Sequence, residues 1–122
     1  MKKFRELTRL ESELMTIIWD KGEAFVNDIL AVMPEPKPAY NTVSTIVRIL
    51  VTKGFLSYKS YGRSHKYYPL VQKEEYLNGY MDNVKKNFFD GSLSSMLSFF
   101  AKKEKLSSKE IEQIEALLEK NK

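Results

Sequence analysis

The sequence predicts a mainly α fold with a small β-hairpin, and three observations predict it. Apolar residues recur at helical spacing in six separate segments. Residues 55–70 interrupt that pattern with two short aromatic-rich runs bounded by Gly54, Gly62 and Pro69. The run Pro34-Glu35-Pro36-Lys37-Pro38 separates the second and third helical segments. Proline lacks an amide proton and restricts the residue before it, so this run is a stiff turn. A chain of 122 residues holds one domain, or one small domain with an appendage.

The elements follow in order. Thr8 and Glu11 have capping-box spacing, where each side chain satisfies a backbone N–H of the other. Leu10, Leu14, Ile17 and Ile18 then form one apolar stripe, and Lys21-Gly22 ends the helix. Trp19, near that end, is read as a packing residue. Glu23-Ala24-Phe25 is short and extended. A second helix covers about Val26 to Met33, with Val26, Ile29, Leu30 and Met33 on one face. A third runs from Ala39 or Tyr40 to about Lys53, stopped by Gly54. Phe55–Ser60 and His65–Leu70 are two strands joined by the tip Tyr61-Gly62-Arg63-Ser64. A fourth helix covers 73–89, with Leu77, Tyr80, Met81, Val84 and Phe88 as its stripe, and Asp90-Gly91 breaks it. Ser92 caps a short fifth helix, Lys102–Lys105 is a solvated link, and Ser107 with Glu110 caps a sixth. Three helices with a basic-tipped hairpin make a winged helix-turn-helix. The expected division is 1–71 for this domain and 72–122 for a C-terminal three-helix dimerisation region.

Composition excludes several function classes. The chain has no cysteine, which removes disulfide scaffolds, thiolate metal sites and a cysteine nucleophile. His65 is the single histidine and cannot form a multi-histidine metal site. Glu74 and Glu75 sit at a helix start, where negative charge is favourable without any catalytic role. No catalytic residue, metal or cofactor is expected. No run of about 18 apolar residues is present, so no membrane insertion is expected. The charged start MKKFRELTRLES is unlike a signal peptide, and a cytoplasmic protein is the expectation.

Charge points toward nucleic acid. No acid occurs between Pro36 and Gln72, while Lys37, Arg48, Lys53, Lys59, Arg63 and Lys66 do, interleaved with five of the seven tyrosines. On charge alone, a solvated basic face and a nucleic-acid contact are equal readings. Winding the third helix at about 100° per residue breaks the tie. Asn41, Thr45, Arg48 and Thr52 share one narrow arc, flanked by Thr42 and Ser44. Val43, Ile46, Val47 and Leu50 lie opposite. An acid-free polar face suits approach to phosphate, and Asn and Arg can bond purine edges in pairs. The expected DNA-binding residues are Tyr40, Asn41, Thr42, Ser44, Thr45 and Arg48 on the helix, with Lys59, Arg63 and Lys66 around the wing. For His65 a phosphate contact and an exposed strand residue are the two readings, and the strand residue is preferred. The alternative is a winged-helix protein-interaction module without sequence-specific DNA binding.

The C-terminal third carries more large apolar side chains than so short a segment can bury. Leu77, Met81, Val84, Phe88, Leu93, Met96, Leu97, Phe100, Ile111, Ile114 and Leu118 are the expected homodimer interface. A two-fold dimer would present two reading helices to successive major grooves, roughly 34 Å apart or a multiple of it. The competing arrangement folds these helices back onto the winged domain.

Several stretches resemble the BlaI/MecI/CopY penicillinase-repressor family. They are Leu14-Met-Thr-Ile-Ile-Trp19-Asp20, Tyr40-Asn-Thr42-Val-Ser-Thr45-Ile-Val-Arg48-Ile-Leu, Lys53-Gly54 and Gly62-Arg63-Ser-His-Lys-Tyr67-Tyr-Pro69-Leu. The break Gly91-Ser92 and the start Leu106-Ser107-Ser-Lys-Glu110-Ile111 extend the likeness over nearly the whole chain. The resemblance implies a bacterial transcriptional repressor that binds a dyad operator as a dimer through its winged helix. It also implies, as a partner, a membrane-bound sensor metallopeptidase whose signal leads to cleavage between an Asn and a Phe in the dimerisation region. That bond corresponds to Phe99-Phe100 here, with Phe99 in place of the Asn. The copper-responsive branch uses a C-terminal cysteine cluster, which this chain lacks.

Overall fold

The computed structural model describes residues 5–104 and 106–120. The first residues of the charged start and Lys105 of the expected link lie outside that range. The chain divides into two compact units, 1–80 and 81–122.

The first unit begins with a reciprocal cap. Thr8 Oγ1 accepts from the Glu11 N–H at 3.2 Å, and Glu11 Oε1 accepts from the Thr8 N–H at 2.8 Å. This starts α1 (Arg9–Lys21). Gly22, at φ 83°, ends it, a backbone conformation that glycine adopts without a Cβ penalty. α2 (Val26–Val32) starts where Asp28 accepts from the Phe25 N–H at 2.9 Å. α3 (Tyr40–Thr52) follows the proline turn. β1 (Leu56–Tyr61) and β2 (Ser64–Pro69) then pair antiparallel, with Tyr58 opposite Tyr67 and Lys59 opposite Lys66. Tyr61 pairs with Ser64, so the tip is tighter than the sequence suggested, and Gly62 turns it at φ 61°. Ala24 exchanges two backbone hydrogen bonds with Tyr67, at 2.9 and 2.8 Å. The extended Glu23–Phe25 segment thus ties α1 and α2 to the hairpin.

The core lies among α1, α2, α3 and the base of the hairpin. Leu14, Met15, Ile18, Ile29, Val43, Val47, Leu50, Phe55 and Leu56 are completely or almost completely buried. Each such side chain contributes about 1.5–3 kcal/mol through burial. The expected α1 stripe was offset. Leu10 and Ile17 are only partly buried, while Met15 and Glu11 are inside. Glu11 is tolerated there because the Lys53 ammonium bonds both carboxylate oxygens, at 2.8 and 2.9 Å.

In α4 (Lys73–Phe88), Leu77, Tyr80 and Met81 of the apolar stripe are exposed, Leu77 and Met81 being among the expected dimer residues, and the residues the helix buries, Tyr76 and Gly79, lie off that stripe. The Tyr76 hydroxyl accepts from the Leu7 N–H at 3.0 Å, and its ring meets Phe55 edge-on at 5.7 Å. Trp19 is indeed a packing residue. It tilts against Tyr76 at 6.3 Å and donates from Nε1 to the Val71 carbonyl at 2.9 Å. These anchors carry the first unit past the expected boundary at 71/72, to Tyr80.

In the second unit, Asp90 and Gly91 both take positive φ, at 50° and 78°, and separate α4 from α5 (Leu93–Glu104). Lys102 and Lys103 continue α5, rather than forming the expected link. α6 (Ser108–Lys120) starts where Ser107 Oγ accepts from the Glu110 N–H at 3.2 Å. Among the described residues, no helix is long and apolar enough to cross a membrane.

Candidate nucleic-acid interface

α3 shows the two faces its sequence encodes. Val43, Val47 and Leu50 are sealed in the core, whereas Tyr40, Asn41, Thr42, Thr45, Arg48 and Thr52 are exposed and Ser44 is partly covered. The polar face is internally braced. Thr45 Oγ1 donates to the Asn41 carbonyl at 2.8 Å, and Thr52 Oγ1 donates to the Arg48 carbonyl at 3.2 Å. Arg48 Nε donates to the Ser44 carbonyl at 3.3 Å. That bond orients the guanidinium and leaves both terminal nitrogens to project from the helix. No side chain caps the start of α3, and its first turn holds no acid. The positive end of the helix dipole is therefore left for an outside anion.

A cleft of ≈ 610 Å³ separates this helix from the hairpin. Tyr40, Ser44 and Arg48 line it from α3, and Arg63, Ser64, His65 and Tyr67 from the wing. Phe25, Val26, Asn27, Asp28 and Tyr61 complete it; Phe25 and Tyr61 meet edge-on at 5.8 Å. Burial raises the pKa of the Tyr67 phenol, and the Arg48 charge pulls it down in part. His65 stacks flat on Tyr58, with ring centroids 4.1 Å apart and planes 8° apart.

The structure sorts the sequence-predicted residues. Tyr40, Ser44, Arg48 and Arg63 converge on the cleft. Asn41, Thr42 and Thr45 sit outside it on the exposed arc of α3. Lys59 and Lys66 are opposite one another in the ladder and do not line the cleft. Lys59 lies over the Tyr68 ring at 5.7 Å and remains exposed. Lys66 is engaged elsewhere, paired with Glu23 at 3.2 Å and lying over the Phe25 ring at 5.4 Å. The acid-free stretch is therefore less positive in space than in sequence. Glu11 neutralises Lys53, and Glu23 neutralises Lys66. Arg48, Lys59 and Arg63 carry the uncompensated charge among the described residues of α3 and the hairpin.

Sequence reasoning missed Phe25, Asp28, Tyr61 and Tyr67 as cleft residues, and it set His65 aside. The signal for His65 and Tyr67 was their same-face spacing, two apart on a strand. Phe25 gave no signal, because only the Ala24–Tyr67 pairing brings it there. Among the described residues, no cluster of His, Asp and Glu could hold a metal ion.

Of the expected dimer residues, Leu93, Leu97, Phe100, Ile111, Ile114 and Leu118 are exposed in the second unit, and Phe88 is 78% exposed. Met96 is the exception. At 4% exposure it is already covered by its own chain and has little surface to offer a partner. Phe99 and Phe100 are exposed, at 50% and 44%, with Phe99 packed on Phe89 at 5.7 Å.

Known proteins match this arrangement. The chain is 31% identical over 119 residues to the methicillin resistance regulatory protein MecI of Staphylococcus aureus (strain N315), covering 97% of each chain. It is 27% identical over 123 aligned residues to the penicillinase repressor of Bacillus licheniformis, covering 100% of this chain and 96% of that one. The solution structure of the DNA-binding domain of the repressor BlaI matches 62% of this chain and 94% of its own, with 26% identity and a TM-score of 0.53. Monomeric Bacillus licheniformis BlaI in complex with the blaP half-operator matches the same shares, with 26% identity and a TM-score of 0.52. The family pattern described as penicillinase repressor spans residues 7–120, and on that match, covering nearly the whole chain, this protein belongs to the penicillinase repressor family.

Proposed function

We propose that this protein is a dimeric transcriptional repressor that reads a dyad DNA operator through α3 and the wing. The observation that carries the reading is the exposed, acid-free arc of Asn41, Thr45 and Arg48, beside Arg63 across the cleft. Short polar side chains let the helix backbone approach base edges, and Arg48 is the residue on that arc able to bond a guanine in a paired fashion. Arg63 and Lys59 reach phosphate, which fixes register without reading sequence. The half-operator complex of the related BlaI supports the same assignment here.

Dimerisation falls to the second unit. α6 buries none of its side chains, and Leu93, Leu97, Phe100, Ile111, Ile114 and Leu118 lie exposed on α5 and α6. So much exposed hydrocarbon suits a two-fold partner. Relief of repression by a membrane-bound metallopeptidase would cut at Phe99-Phe100. That bond lies inside α5, so the helix must open locally before a protease can hold it extended.

Fluorescence anisotropy with a duplex from the protein's own promoter, against a random duplex over a salt series, tests the repressor reading. A preference for the promoter and a steep loss of affinity with salt are expected. Equal binding to both duplexes, or none, would leave a protein-interaction module as the account of the winged unit. Sedimentation of the full chain at micromolar concentration tests the dimer, and a monomer there rejects it.

A further inference from the structure

We propose that His65 is a further DNA-contacting residue of this interface and couples operator affinity to proton uptake, so that the duplex binds more tightly when the imidazole is charged. The proposal rests on the repressor reading above and assigns it a condition. His65 lines the cleft between α3 and the wing together with Arg48 and Arg63. Its ring is held flat against Tyr58 at 4.1 Å, with Tyr67 edge-on at 6.2 Å. The stack fixes the plane of the ring but uses only a face. Among the described residues, none hydrogen-bonds either ring nitrogen, so the N–H edges remain for an outside acceptor.

The charges around the ring set the direction of the coupling. Tyr58 faces it from β1 and Tyr67 from β2. The cleft also holds Tyr40 and Arg48 of α3, Asp28 of α2, and Tyr61 and Arg63 of the tip. Asp28 accepts from the Phe25 N–H and keeps its negative charge, while Lys66, next in sequence to His65, is paired with Glu23. A phosphate entering the cleft attracts Arg48, Arg63 and an imidazolium at once. The face of Tyr58 adds a favourable surface for a cation. Binding of DNA and binding of a proton at His65 then favour each other. Imidazole is the one side chain whose ordinary titration falls between pH 5 and 8, and this chain has a single histidine. The effect can therefore be assigned to one residue.

The test is anisotropy with the full-length chain and its own promoter duplex, at about pH 6 and about pH 8 and fixed ionic strength. Affinity should be about tenfold higher at the lower pH, and the salt slope should steepen by about 0.9 for each imidazolium. His65→Gln should remove both differences. Calorimetry of the unmodified chain in two buffers of different ionisation enthalpy should show proton uptake on binding, which keeps the test open if the variant folds poorly. Equal affinity at both pH values, a pH difference that survives in His65→Gln, or no proton uptake would overturn the coupling while leaving the repressor reading intact. Absence of promoter preference at either pH would instead remove the repressor reading, and the coupling with it.

Discussion

Glu11 shows how one residue can serve two elements at once. Its backbone and side chain close the cap of α1, and its carboxylate receives Lys53 at the end of α3. Burial by itself would raise its pKa. The bond from Lys53, the Thr8 N–H and the Lys53 charge outweigh that and hold it below the ordinary glutamate value. A depressed folded-state pKa gives stability that is complete above the unfolded value, about 4.3, and is lost as pH falls through the folded value. Thermal melts should therefore fall in acid below about pH 4, and Glu11→Gln should flatten that fall. Lys53→Met leaves the carboxylate buried without its partner and should cost about 3 kcal/mol near neutral pH, read by urea unfolding. In the proposed reading Arg48 serves DNA contact rather than stability. Arg48→Ala should leave the melting temperature nearly unchanged and reduce discrimination between operator and random duplex in anisotropy by about 1–3 kcal/mol.

Elements depend on caps and turns that the sequence states openly. Thr8→Ala removes the side-chain acceptor of the α1 cap and should cost about 1 kcal/mol by denaturant unfolding, with DNA specificity unchanged. The wing is placed by its base, and in the proposed reading it acts through its tip. Arg63→Ala should weaken binding to operator and random duplexes alike and reduce the salt slope by about 1, in a salt-dependent titration. Local chemistry made most of these elements legible. Thr8 and Glu11, Gly54, Gly62 and Asp90-Gly91 act on their immediate neighbours, and their effects survive folding. α4 was read less well, because apolar periodicity locates hydrophobic side chains but not what covers them. Tyr76 lay off the predicted stripe, yet it is the residue that meets Phe55, Trp19 and the Leu7 N–H.

At the scale of the whole molecule, the boundary between units sets where the chain can be cut. A fragment ending at residue 71 loses Tyr76, empties its place against Phe55 and leaves the buried Leu7 N–H without an acceptor. Compared with a fragment ending at Tyr80, it should be less stable by about 3–5 kcal/mol in urea unfolding. The longer fragment should sediment as a folded monomer and bind the operator much more weakly than the full chain, since it lacks the exposed apolar faces of α5 and α6. A dimeric 1–80 fragment would move the interface into the winged unit.

The sequence by itself determined the helices and the hairpin, the two-faced character of α3, and a polar arc free of acid. All of these follow from spacing and from residue types acting on near neighbours. Only the tertiary structure decided which cations of the acid-free stretch remain uncompensated. Glu11 and Glu23 lie far along the chain from Lys53 and Lys66 and meet them only after α1, α3 and the hairpin have packed. It likewise decided that Arg48, Arg63 and His65 share one cleft, because the Ala24–Tyr67 bridge and the hairpin register set the wing beside the reading helix. Charge interactions act through distance in space, and separation along a chain says little about that until the core has formed.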